Sequence, residues 1–299
     1  MSEAPESLAV QLGFGAEAKV AVIHADDLGM CRAANAGCFA ALDHGSMTCA
    51  SIMVPCPAFA EAVEGIASRP GLDVGVHLTL NAEWEAYRWG PVAGASAVPS
   101  LVDGDGCFYR TQVEVLRNAS ADDVEREMRA QIDAVIAAGI DPTHLDAHMG
   151  TLLFPPFLAV FEALMRDYRL PSNLMTAAGL NLSDNPAANE MAVQMDAASA
   201  RLQSEGFPIL DAMEARSPVF EPGMGLVHNE DRVARLRAGV TYLIAHPAKA
   251  DEELTSMAPD AACREFELEF YGGPASVEAL ARHGIETVGM AAIRDLLRN

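Results

Sequence analysis

The 299-residue chain carries 42 acidic against 20 basic side chains, a formal net charge of −22, with 51% apolar residues. So negative a surface repels phosphate backbones and anionic bilayers, which sets nucleic acid and membrane aside as partners and points to a neutral, polar small molecule. No run approaches the ~18 consecutive apolar residues of a spanning helix. The acidic start MSEAPES lacks a leader's basic region, and six cysteines without a CxxC pair read as reduced thiols, so a cytoplasmic enzyme is expected.

Apolar runs alternate with helical patterns along the chain, the rhythm of parallel βαβ units. Lys19–Ala25 predicts the first strand and Ala33–Asp43 the helix after it. Met47–Val54 and Leu72–Val76 predict two more strands, with a helix over Pro57–Ala67 between them. Asn81–Ser120 is polar, rich in glycine and too long for an ordinary connection, so it predicts a functional loop with little regular structure. Its Trp84, Tyr87 and Trp89 either cover a substrate or pack the loop onto the body of the protein. Ser120 caps a predicted helix over Ala121–Ala138; the strand Thr143–Ala147 and the helix Phe157–Tyr168 follow. From Leu170 to His228 the pattern weakens to an NLSDNP turn cluster at 181–186, a helix near Met191–Gln203, and one or two strands within a substrate-facing insertion. Val240–Ala245 reads as a buried strand, and the tail as helix (Ser276–His283), strand (Glu286–Gly289) and helix (Ala291–Leu297). No linker interrupts the series, so one α/β domain, a (β/α) barrel over residues 1–299, is expected.

Chemistry-bearing residues fall at the ends of these strands. Ile23-His24-Ala25 runs into Asp26-Asp27, Val74-Gly75-Val76 into His77, His144-Leu145-Asp146-Ala147 into His148, and Leu243-Ile244-Ala245 into His246. In a parallel barrel the carboxyl ends of the strands converge on one face, where active sites form. One carboxylate with two neutral imidazoles makes a facial ligand set that leaves positions open for water and substrate, and Asp27, His77 and His148 supply it. Fifty residues separate Asp27 from His77 and 71 separate His77 from His148, so no local zinc-finger spacing is present. Asp26 is then the candidate general base and His246 the candidate general acid.

Each residue alone has a plainer use: Asp26-Asp27 as a helix N-cap, His77 as a hydrogen-bonded core histidine. His144 reads as structural or as a partner to a ligand; His24, His44 and His283 read as structural or exposed. Asp146 alternates in phase with His144 and His148, so it is expected to orient an imidazole.

HADDLGM with Ala34-Asn35-Ala36-Gly37, GVHLTL at 75–80, THLDAH at 143–148 and AHPA at 245–248 stand in order, with Arg264 and Glu267 late in the chain. This ordered set resembles the YdjC-like carbohydrate deacetylase family. The resemblance implies a barrel related to polysaccharide deacetylases, with irregular closure. It implies a divalent cation, Mg²⁺ or Zn²⁺, on Asp27, His77 and His148, with Asp26 as base and His246 assisting the departing amine. Arg264 would orient Asp26 through a charge-assisted hydrogen bond. An N-acetylated sugar is the implied substrate, and a homodimer the implied assembly. The sequence departs from the family pattern at Met149-Gly150-Thr151, where many members carry a histidine-rich run, at Ala248 in the usual HPG, and at Leu28, where phenylalanine is common. Two rival readings are another amide substrate on the same barrel, and a non-catalytic sugar-binding protein.

Overall fold

The computed structural model describes residues 7–176, 179, 186–221 and 223–299. Its seven strands are β1 (Lys19–Leu28), β2 (Cys49–Ile52), β3 (Val74–Leu78), β4 (Leu145–Ala147), β5 (Ala212–Glu214), β6 (Gly239–Ala245) and β7 (Ile285–Thr287). They form one parallel sheet in the order β4-β3-β2-β1-β6-β5. β6 pairs with β1 from Lys19 to Ala25. The other edge of β1 is shared: Lys19–Ala21 pairs with β7, and His24 and Ala25 pair with Cys49 and Ala50 of β2. Every residue of β1 beyond Lys19 is buried, which is why it reads as a near-continuous apolar run.

The sheet curls, and between its outer strands the ring is completed by single bridges. Leu145 of β4 pairs with Ser172, and Met175 pairs with Leu210, just ahead of β5. The expected barrel is therefore present with an irregular closure. Helices cover its outside. Ala121–Ala137, capped by Ser120 as predicted, buries Val124, Met128, Gln131, Ile132 and Val135, a single stripe at helical spacing.

Several expectations change. β2 is shorter than predicted. β3 begins later and runs through Leu78, so His77 lies within it rather than after it. The 81–120 segment holds a one-turn helix at Pro99–Leu101, a bridge between Val102 and Phe108, and a helix, Gln112–Asn118, opened by a Thr111–Glu114 capping box. The helices Gly225–Ala234, Glu252–Met257 and Ala261–Tyr271 were not foreseen. In the last of these, Arg264 and Glu267 are buried on the inward face, which breaks the apolar periodicity that would have announced it. The NLSDNP cluster, apart from Pro186, lies outside the described residues. No helix among the described residues is long and apolar enough to cross a membrane.

Two glycines of the matched motifs are there for close approach. A Cβ on Gly37 would lie 2.4 Å from the Ala248 Cα, so the helix Arg32–His44 can press against the chain just after β6. A Cβ on Gly75 would lie 2.6 Å from the imidazole of His144.

Candidate active site

β1 does not end at Ala25. It continues through Asp26 and Asp27 to Leu28, and its register with β2 slips between Ala25 and Leu28. Asp27 sits at φ +65°, a left-handed conformation that aspartate tolerates better than most residues. In a regular strand neighbouring side chains point to opposite faces. The irregularity turns both carboxylates toward one site: Asp27 Oδ1 is 3.5 Å and Asp26 Oδ2 3.9 Å from Nε2 of His77. Neither aspartate caps the following helix; Cys31 holds that position.

Asp27 Oδ1, His77 Nε2 and His148 Nδ1 form a triangle with edges of 3.5, 3.4 and 3.3 Å. Asp27 Oδ1 is buried without a hydrogen-bond partner. Ligands about 2.0–2.1 Å from a tetrahedral cation stand roughly 3.3 Å apart, so these three atoms fit one divalent ion. The remaining atom of each group is occupied. His77 Nδ1 donates to Asp146 Oδ1 at 2.8 Å, and Asp146 Oδ2 accepts from Ser51 at 2.9 Å and from Tyr242 at 3.2 Å. His148 Nε2 donates to Glu83 Oε2 at 3.0 Å, and Arg264 Nη1 donates to Asp27 Oδ2 at 2.7 Å. Carboxylates behind both imidazoles fix the tautomers that turn lone pairs toward the ion.

Charge reinforces this arrangement. Burial raises the Asp27 carboxyl, but Arg264 and the two imidazoles outweigh it and hold the group well below the usual carboxylate range. Burial lowers His148, but Glu83 and Asp27 outweigh it and bring it up to about 9. Two further donor groups, His24/Cys49/His144 and His24/Asp26/Asp146, lie beside the triangle. The imidazoles and carboxylates of these groups are already spent on bonds to one another and to their neighbours.

Asp26 and His246 face each other across the open side, with Asp26 Oδ2 3.6 Å from His246 Nε2. Ser217 donates to Glu267 Oε2 at 2.7 Å and accepts from His246 Nδ1 at 2.8 Å, which leaves Nε2 toward the site. Glu267 also takes the His246 amide and Arg232 Nη1. The expected bond from Arg264 to Asp26 is not made: Arg264 lies on Asp27 and Asp260. Asp26 is held instead by His24, whose Nδ1 is 2.5 Å from Oδ1. Trp84 and Trp89 are only 8% and 3% exposed, and Trp89 donates to the Asn81 carbonyl, so these rings pack the loop as a roof over the site.

The structure brings Asp26, Asp27, His77, His148, His246 and Arg264 together, with Asp146 on the His77 imidazole. Sequence reasoning missed Glu83, Ser217 and the contact of His24. Only His24 left a signal, two residues before Asp26 on the same strand.

The family model described as YdjC-like protein matches residues 20–282. The chain belongs to the YdjC-like family. Among curated relatives of that kind, carbohydrate deacetylases, the one from Thermus thermophilus is 41% identical over 54% of this chain and 54% of its own length. The one from Brevibacillus brevis is 36% identical over 50% and 57%. The chain thus spans about half the length of these relatives, which is the part that aligns. The Vibrio parahaemolyticus carbohydrate deacetylase aligns over 91% of this chain and 95% of its own, at 24% identity. A crystal structure from Enterococcus faecalis V583, of a proposed cellobiose-phosphate cleavage protein, superposes with a TM-score of 0.74 at 25% identity, over 92% of this chain and 99% of that one.

Proposed function

We propose that this protein is a metal-dependent hydrolase that removes the acetyl group from an N-acetylated sugar, giving acetate and a free amine. The observation that carries the reading is the triangle of Asp27 Oδ1, His77 Nε2 and His148 Nδ1, open on the side where Asp26 and His246 stand. Membership of a family whose curated relatives are carbohydrate deacetylases supplies the substrate class. Two imidazoles and one carboxylate suit Zn²⁺ or a similar transition ion better than Mg²⁺, which prefers oxygen donors.

A cation held there supplies Lewis acidity, polarising the acetyl carbonyl and bringing the pKa of water toward ~7. The chain's own residues do the rest. Asp26 takes the proton of the attacking water on Oδ2, the oxygen facing the site. His246 delivers a proton from Nε2 to the departing nitrogen, its Nδ1 held by Ser217, which in turn donates to Glu267. Arg264 keeps Asp27 ionised and turns its free oxygen to the cation. Trp89 packs edge-on against His148 and Trp84 lies under the Arg264 guanidinium, which holds both side chains in place.

The test is acetate release from a panel of N-acetylated mono- and disaccharides, with and without chelator. Release should stop with chelator and in Asp26→Ala and His77→Ala. A protein that binds metal tightly yet releases acetate from none of these sugars would refute the carbohydrate assignment.

A further inference from the structure

We propose that His24 is the positioning residue that aims Asp26, its ring fixed by buried contacts with His144 and Tyr242. This rests on the reading of Asp26 as the general base.

His24 is fully buried, and the pleat of β1 places it on the same face as Asp26 two residues later. Its Nδ1 is 2.5 Å from Asp26 Oδ1. An ionised carboxylate only accepts, so Nδ1 bears a hydrogen and donates it to Oδ1. The other ring nitrogen, Nε2, is 3.0 Å from His144 Nε2 and 3.6 Å from Asp146 Oδ2. His144 Nδ1 in turn lies 2.9 Å from the Thr143 hydroxyl. Burial brings His144 down to about 3, so it bridges His24 and Thr143 as an uncharged ring.

The ring cannot swing away. It stacks on Tyr242 with centroids 4.7 Å apart at 28°, and meets His144 edge-on at 5.0 Å and 81°. Gly75 is what makes room for His144, since a side chain there would occupy the space of its imidazole. With Oδ1 clamped, Asp26 Oδ2 points into the gap between His77 Nε2 and His246 Nε2, 3.9 and 3.6 Å away. Arg264 cannot do this, being committed to Asp27 and Asp260. A base misplaced by ~1 Å costs roughly 100-fold in rate.

Two amide substitutions separate the two ring nitrogens. In His24→Asn the amide nitrogen takes the place of Nδ1 and still donates to Asp26. In His24→Gln it takes the place of Nε2, reaching His144 and leaving Asp26 unheld. Measured by acetate release from an N-acetylated disaccharide, His24→Asn should keep kcat within about tenfold and His24→Gln should lose about 100-fold. KM and bound metal should match the parent in both. Equal losses, or a faster glutamine variant, overturn the proposal, as does loss of metal from either, which would make His24 a support of the cation site. Asp26→Asn keeps the two readings distinguishable. If it is active, the base assignment fails; if it is inactive while the two His24 variants behave alike, only the role of His24 fails.

Discussion

The floor of the site and its roof are built in different ways. The floor is made of strand ends: Asp26 and Asp27 from β1, His77 from β3, His148 just after β4 and His246 just after β6. Each is held by a sheet whose hydrogen bonds fix it to within a pleat. The roof is the 81–120 segment, which reaches the site through Glu83 and packs Trp89 against His148 and Trp84 against Arg264. The floor supplies the atoms that would touch the cation and the substrate. The roof supplies charge and packing behind His148. Substitutions in the floor should therefore abolish function, and those in the roof should tune it.

The largest effect is expected at the floor. Asp27→Ala removes a ligand and leaves buried Arg264 with Asp260 alone, so bound metal should fall below a tenth of the parent's and stability by about 3 kcal/mol. Metal analysis and thermal unfolding check this, and a variant that keeps its metal would strip Asp27 of the part given to it. The roof should answer more mildly. Glu83→Gln keeps an acceptor for His148 but removes the charge, and should weaken metal affinity 10–100-fold while leaving the fold intact. A loss as complete as that of Asp27→Ala would erase the distinction between the two regions.

The same substitution has a signature in pH. With Glu83 and Asp27 beside it, His148 titrates at about 9 in the metal-free protein, so below that pH an incoming cation must displace a proton. Affinity should rise with pH through about 9, with His77, which despite its burial Asp146 and Asp26 also raise, adding to the dependence, and calorimetry in buffers of different ionisation enthalpy should show the protons released. In Glu83→Gln the part of the rise due to His148 should move to lower pH, because the charge that raised it is gone. An unmoved profile would show that Glu83 does not govern the imidazole.

The smallest effect is a matter of access. All six cysteines are free. Cys107 of the roof and Cys263 are partly exposed, whereas Cys31, Cys38, Cys49 and Cys56 are buried, and burial pushes Cys31 up to about 11 and the other three well above the usual thiol range. Two thiols should react quickly with an aromatic disulfide at pH 8 and four only on unfolding. A third fast thiol would mean that the layer behind the floor opens more readily than the roof.

What was legible in the sequence follows the same division. Strand ends could be read because an apolar run stopping at an aspartate or histidine is a local signal, and the fold brings such ends together wherever they lie in the chain. Glu83 could not be read, because nothing around it distinguishes it from a solvated loop carboxylate; only the path of the loop brings it to His148. Ser217 was hidden in the weakly patterned 170–228 region for the same reason. The helix carrying Arg264 was lost because its inward face is charged, and so the partner of Arg264 was misjudged by one residue. Trp84 and Trp89 fitted a sugar platform or a packed loop equally well by composition, and burial decides for packing.

The left-handed residue in β1 has a consequence for anyone moving this chemistry to another scaffold. A straight strand can lend a pocket every second side chain, so two neighbouring aspartates there would send one carboxylate into the helical layer. The slip between Ala25 and Leu28, with Asp27 at φ +65°, is what lets a single strand turn two neighbouring carboxylates toward one site. A transplant that copied the side chains onto a regular barrel strand would inherit half of the pair; the kink has to travel with them.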